Sequence, residues 1–111
     1  MNLWLDDERN PESPFTRTAF GSTGEELWVK TAKEAIDLLK SGKVKSISFD
    51  HDLGSPENGT GYDVSKYIEE QAFHNNINKL QWRVHSANPV GKRNIERCMQ
   101  SAERFWRESN D

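Results

Sequence analysis

The stretch Ser48-Phe49-Asp50-His51-Asp52-Leu53-Gly54 begins as an apolar strand carried on from Ile47, sets two carboxylates around an imidazole, and stops at a glycine. Burying two acids and a histidine at a strand end costs on the order of several kcal/mol unless a metal, a phosphate or hydrogen bonds compensate. A reactive site is therefore expected there in preference to a merely polar turn. Strand alternation puts Asp50 and Asp52 on one side and His51 on the other, unless the strand ends before His51. Asp50 is the one expected to face a metal. His51 and Asp52 then belong to the turn, where one contacts substrate and the other holds the loop.

Working outward, Lys45–Asp50 is the third of four strand candidates. The first covers residues 2–6 and runs directly into Asp7, Glu8 and Arg9; the second is Glu26–Lys30. Between those two, residues 10–24 contain Pro11, Pro14, Gly21, Gly24 and several Ser and Thr, which predicts a loop long enough to act as a lid or binding loop. Phe15, Arg17 and Phe20 are its candidates to face a ligand or to pack on the body of the domain. Thr31 and Glu34 fit a capping box, followed by the stripe Ala35, Ile36 and Leu39, with Gly42 as C-cap. Downstream, residues 54–61 form a glycine-rich loop that lacks the lysine of a P-loop. A helix is predicted from about Tyr62 to Phe73, with Val64, Tyr67, Ile68 and Ala72 inward. The fourth strand, Leu80–Ser86, alternates as an edge strand with one wetter face does. Asn88 as N-cap and Pro89 at the first helical position open the last helix. Its apolar stripe is Ile95, Met99, Ala102 and Trp106, with Cys98 beside it as a packed thiol.

Strands alternating with helices predict an α/β domain built on a parallel sheet of about four strands, spanning residues 1–111 as one unit. A chain of 111 residues suffices for a single core. Four Trp and five Phe supply apolar area that the 33% hydrophobic content alone would not. The net charge of −3, without a basic stripe interleaved with aromatics, excludes extended nucleic acid and anionic membrane as general partners. Any anion site must be local. One cysteine leaves no internal disulfide, and no apolar run approaches the roughly 18 residues of a spanning helix. No signal-peptide pattern opens the chain, so a cytoplasmic protein is expected.

In open parallel sheets, ligands bind beyond the carboxyl ends of the strands. Those ends carry Asp6 and Asp7, Thr31, then Asp50-His51-Asp52, then His85-Ser86, so polar groups converge on one edge. Asp6, Asp7 and Asp50 or Asp52 offer hard oxygen ligands to Mg²⁺ or a similar ion. His51 and His85 suit general acid and base roles near neutral pH. Ser86 and the N–H groups around Val90 and Gly91 suit a phosphate at a helix start. Lys92 and Arg93 occupy that first turn, where the dipole disfavours cations, which an anion nearby would explain. Zinc is disfavoured, since neither an HExxH motif nor a cysteine pair is present. The residues two past His51 and His85 are Leu53 and Ala87, which excludes the His-x-Ser/Thr pattern of two-histidine phosphoesterases.

Taken together, Leu3-Trp4-Leu5-Asp6-Asp7-Glu8-Arg9, Ser48-Phe49-Asp50-His51-Asp52-Leu53-Gly54, Gly61-Tyr62-Asp63-Val64 and Val84-His85-Ser86-Ala87-Asn88-Pro89 resemble the receiver superfamily. Within it, the resemblance is to the cyclic-phosphate-processing receiver domains. It implies a three-layer receiver-like fold, here without the usual fifth strand and first helix, and a site acting on cyclic phosphates of nucleotide-like molecules. By position, Asp6 and Asp7 match the receiver's magnesium-holding acidic pair. Asp50 or Asp52 matches the phosphoacceptor, and Ser86 the hydroxyl residue ending the fourth strand. The receiver lysine is missing, which argues against aspartyl-phosphate switching. The leading expectation is a phosphoesterase for a small cyclic phosphate or cyclic nucleotide, using Mg²⁺ or Mn²⁺ on Asp6, Asp7 and Asp50. His51, His85, Asp50 and Asp52 would be catalytic, and Arg9, Ser86, Asn88, Gly91, Lys92 and Arg93 would bind phosphate. The alternatives are a module that sequesters a cyclic nucleotide without cleaving it, and a degenerate receiver used for protein contact.

Overall fold

The computed structural model describes residues 1–109. Four parallel strands, β1 (Asn2–Leu5), β2 (Leu27–Val29), β3 (Ser46–Phe49) and β4 (Gln81–Val84), form one sheet in the order β2-β1-β3-β4. The helices are α1 (Pro14–Phe20), α2 (Ala32–Lys40), α3 (Gly61–Phe73) and α4 (Pro89–Ser109), with a 3₁₀ turn at Pro56–Asn58. The order is the receiver order with four strands and no fifth among the described residues. None of their helices is long and apolar enough to cross a membrane.

Alternation divides the sheet into two faces of different chemistry. Leu3, Leu5, Ile47 and Phe49 join Ala35, Leu39, Val64, Ile68, Ala72, Ile95, Met99 and Ala102 in the main core, beneath α2, α3 and α4. Each helix contributes the stripe its periodicity predicts. The opposite face carries Asn2 and Trp4, Ser46 and Ser48, and Arg83 and His85. Among the described residues α1 and the chain on either side of it lie over this face: Trp4 Nε1 donates to the Arg9 carbonyl at 3.0 Å, and Gly21, Thr23 and Glu26 share a space with Asn2, Trp4 and Ser48. Together the three layers are helices, sheet and one short helix.

That short helix replaces the loop expected over residues 10–24, and it stands where no first helix was expected. Pro14 presets its first turn, and Gly21 ends it in the left-handed conformation at φ 79°, donating its N–H to Thr16. Local sequence hides it, because two threonines in seven residues are weak helix formers. Its support is distant: the Arg83 guanidinium from β4 donates to the carbonyls of Phe20 and Gly21, satisfying groups a helix end leaves orphaned.

At the other boundaries the differences are small. Thr31 caps α2, accepting from the Glu34 N–H at 3.1 Å, but the expected box is not closed, because the Glu34 carboxylate accepts from the Lys30 N–H at 3.3 Å instead of from that of Thr31. Ser41 is the C-cap, and Gly42 follows at φ 76°. A capping box at the start of α3 was not foreseen: Thr60 accepts from the Asp63 N–H, and the Asp63 carboxylate accepts from the Thr60 N–H at 3.0 Å. It fixes Gly61 against the chain leaving β3, where the Gly61 N–H donates to the His51 carbonyl at 2.8 Å. A Cβ at Gly61 would overlap the Asp50 carbonyl oxygen. Since backbone cannot yield as a side-chain tip does, Gly61→Ala is expected to cost about 2 kcal/mol or more, read as a lowered urea midpoint.

Candidate functional site

The strand register places the acids. Leu5 lies level with Val29 and Phe49, and Phe49 with Val84. The ladder runs one residue further, with the N–H groups of Asp6, Asp50 and His85 donating to Val29, Leu5 and Phe49 at 3.0, 2.8 and 2.9 Å. Three polar side chains thus follow three apolar strands at one level. The β1–β3 boundary, where chain connections diverge, is the position at which open α/β sheets bind ligands.

Asp6 is fully buried and fully bonded. Its Oδ1 accepts the N–H groups of Glu8 and Arg9 at 2.9 and 3.0 Å. Its Oδ2 accepts from Arg9 Nη1 at 3.2 Å and His85 Nε2 at 3.0 Å. Arg9 also reaches Asp50 Oδ2 at 3.4 Å, and Asp50 Oδ1 accepts the His51 N–H at 2.8 Å. One guanidinium bridges two carboxylates. One ligand oxygen each from Asp6, Asp7 and Asp50 lie within 4.8 Å of one another.

The two buried acids carry opposite electrostatic burdens. Burial pushes the Asp6 carboxyl up, but hydrogen bonds from His85, Arg9 and Glu8 outweigh it and hold it at about 2. Burial and repulsion from Asp6 raise Asp50, only partly offset by the His51 N–H, His85 and Arg9. Because the folded-state value of Asp6 lies below its ordinary 3.8, its contribution to stability is present above 3.8 and is lost as pH falls towards about 2. Denaturant titrations across that window should show wild-type stability falling, and Asp6→Asn should lack this part of the slope. An unchanged slope in the variant would refute it.

The cleft above these acids holds about 260 Å³ and is lined by Asp7, Glu8, Arg9, Asp50, Asp52, Gly54, Ser86, Ala87 and Asn88. A space of similar size, about 270 Å³, opens at the other end of the sheet between Leu39, Tyr67 and Ile77, but no carboxylate or histidine lines it. Chemistry rather than volume singles out the acidic cleft.

Of the residues expected to meet there, Asp7, Arg9, Asp50, Asp52, Ser86 and Asn88 do. His85 does not. Its side chain has no exposure; it stacks on Trp4 at 3.9 Å and pairs with Ser48 Oγ through Nδ1 at 2.7 Å. An ionised carboxylate can only accept, so Nε2–H faces Asp6 and Nδ1 faces Ser48. Edge-strand alternation pointed His85 towards the wetter face, but that face is where Trp4 and α1 cover it. Ser48 is the partner the sequence reading missed; its place two residues before Asp50, on the same face, was the available signal.

His51 keeps 17% of its side chain exposed, and its Nδ1–H donates to Asp52 Oδ1 at 3.0 Å. That bond holds Asp52 below the usual carboxylate range. Asp52 Oδ2 in turn accepts from Asn88 Nδ2 at 3.3 Å. The N–H groups of Val90 and Gly91, expected to be open to a phosphate, both donate to Asn88 Oδ1 at 3.1 Å. The N-cap itself satisfies them. Gly91 has a packing role instead, since a Cβ there would strike the His51 ring. Lys92 lines a neighbouring groove and Arg93 is exposed, and neither lines the cleft.

A parallel sheet of this order, with an acidic pair ending β1 and an aspartate following β3, defines a receiver-type domain. The chain belongs to the cyclic-phosphate processing receiver domain family, whose model matches residues 1–101. No curated protein and no solved structure matched the chain.

Proposed function

We propose that the protein opens a cyclic phosphate ester of a nucleotide-like molecule in the acidic cleft, with a divalent cation bound by Asp7 and Asp50 and backed by Asp6. The observation that carries this reading is the convergence of three carboxylates at the β1–β3 boundary with a single guanidinium to offset them. Hard oxygen donors this close suit Mg²⁺ or Mn²⁺, and Asp50, raised by burial first and by repulsion from Asp6 second, would gain from a cation beside it. When bound, such an ion supplies Lewis acidity towards a phosphoryl oxygen.

The chain's own groups do the rest. Ser86 Oγ and Asn88 Nδ2 offer neutral hydrogen-bond donors to a phosphate, and Arg9 offers a charged one. With Nδ1–H held by Asp52 beside the cleft, the His51 Nε2 would take a proton from a water whose oxygen bonds to phosphorus, and would return it to the alkoxide released as the ring P–O bond breaks. His85 acts as a positioning residue, holding Asp6 from behind. The test is incubation with Mg²⁺ or Mn²⁺ and a panel of cyclic mono- and dinucleotides and a ribose cyclic phosphate, followed by phosphorus NMR. Conversion of a cyclic phosphate to a phosphomonoester or an opened diester supports the proposal; no conversion of any member overturns it.

A second reading, sequestration without cleavage, is favoured by one observation: of the two histidines expected as an acid–base pair, one is locked beneath the cleft. Calorimetry showing tight binding without turnover, barely altered by His51→Ala, would select it.

Arg9 and a cation would share the oxygens of Asp6 and Asp50. Arg9→Gln is therefore expected to tighten binding of Mn²⁺ alone by about tenfold in isothermal titration, since a positive charge a few ångströms away is removed. Weaker binding would show that the guanidinium supports the site instead of competing for it.

A further inference from the structure

The acidic cleft is small for a nucleotide-sized ligand. Its 260 Å³ falls below the roughly 300–1,000 Å³ of typical ligand pockets, and charged or polar side chains dominate its lining. It has room for a phosphate and part of a sugar but presents no surface suited to a base. Directly beside it, sharing Ser86, lies a second groove of about 440 Å³ between the end of α1 and the end of β4. Its walls include Thr18, Phe20, Val84 and Lys92.

Two of these residues point to a ligand. The Phe20 ring is held in place, with the Arg9 guanidinium over one face at 4.3 Å from its centroid and the His85 ring in a T-shaped contact at 6.3 Å between centroids. A fixed aromatic wall suits base stacking, which tolerates any base. Lys92 stands in the first turn of α4, where the helix dipole disfavours a cation, and among the described residues it makes no ion pair. A bound anion would account for it. Ser86 lines both spaces, so the groove adjoins the acidic cleft.

We propose that this groove seats the nucleoside next to the reacting cyclic phosphate, with Phe20 as the stacking wall and Lys92 as partner to a second phosphate. The substrate class is then a nucleotide cyclic phosphate bearing a base and at least one further phosphate. The proposal rests on the acidic cleft being the cyclic-phosphate site.

The test compares wild type with Thr18→Trp, which fills the groove from an exposed position, and Lys92→Glu, which the helix dipole favours and which therefore should not unfold α4. Affinities are measured by calorimetry for a ribose cyclic phosphate, a nucleoside cyclic phosphate, a cyclic dinucleotide and a linear dinucleotide with a terminal cyclic phosphate. Circular dichroism verifies the fold. Thr18→Trp should lower the preference for base-bearing probes over the ribose cyclic phosphate by about tenfold, the scale of one lost stacking contact. Lys92→Glu should lower the preference for the two dinucleotides over the nucleoside cyclic phosphate. Whichever dinucleotide responds more identifies the source of the second phosphate. If wild type binds the panel but neither preference moves, the groove proposal fails and the cleft reading stands. If wild type binds no cyclic phosphate at all, both fail.

Discussion

His85→Ala is expected to lower the stability of the folded protein by about 3 kcal/mol or more, the range found when one partner of a buried pair is removed. Three losses coincide. The buried Asp6 carboxylate loses the donor on Oδ2 that comes from beneath the cleft. The Ser48 hydroxyl loses its 2.7 Å partner in a buried setting, and Trp4 loses the ring stacked on it at 3.9 Å. A void then adds to the unsatisfied polar groups. Domains of this size have only about 5–15 kcal/mol of stability, so the loss is about a fifth of the total or more. Urea titration followed by tryptophan fluorescence measures the loss. His51→Ala, which removes a part-exposed ring bonded to an exposed carboxylate, should cost much less. Equal costs for the two variants would show that His85 has no special place beneath the site.

Asp50→Asn should separate stability from function. The substitution removes a buried charge that its surroundings disfavour, through burial first and repulsion from Asp6 second. An amide oxygen can still accept the His51 N–H. The folded-state value of Asp50 lies above the ordinary 3.8, so its ionisation destabilises the fold at neutral pH, and the penalty disappears below 3.8. The variant is expected to melt a few degrees higher than wild type at neutral pH and to lose that advantage in acid. Under the proposed function it also loses one of the carboxylates on which the cation depends. Metal-dependent turnover should then fall by about a hundredfold or more, at or beyond the effect of losing an outer-shell partner. Scanning calorimetry at two pH values and the phosphorus NMR assay read the two effects separately. A variant less stable than wild type at neutral pH would mean that Arg9 and the His51 N–H over-compensate the charge.

Periodicity and capping gave the architecture. The 3.6-residue stripes placed Ile68, Ile95 and Met99 in the core and the apolar strand run placed Ile47 and Phe49, where the structure buries them. Both signals repeat along the chain, so each element's buried face can be read locally. The α1 helix was not legible, because seven residues with two threonines carry no stripe and their C-terminal carbonyls are satisfied by Arg83, 62 and 63 residues away. The capping box at Thr60 and Asp63 was legible in principle and was masked by the glycines on either side of Thr60.

The site divides along the same physical line. Which acids gather at the sheet's carboxyl edge follows from the strand ends alone, because parallel strands in register bring Asp6 and Asp50 to one level. The roles within that edge were decided in three dimensions. Residue type could not tell a histidine open to the turn from one packed beneath the site, since both lie just past a strand end. Burial decides between them, and burial depends on what covers each face. His85 lies under α1 against Trp4 and Ser48, whereas His51 lies in the turn with part of its ring open. Sequence determined that carboxylates and imidazoles converge at one end of a four-stranded parallel sheet. Only the tertiary structure decided which of them face the cleft, because that depends on long-range packing that no local pattern encodes.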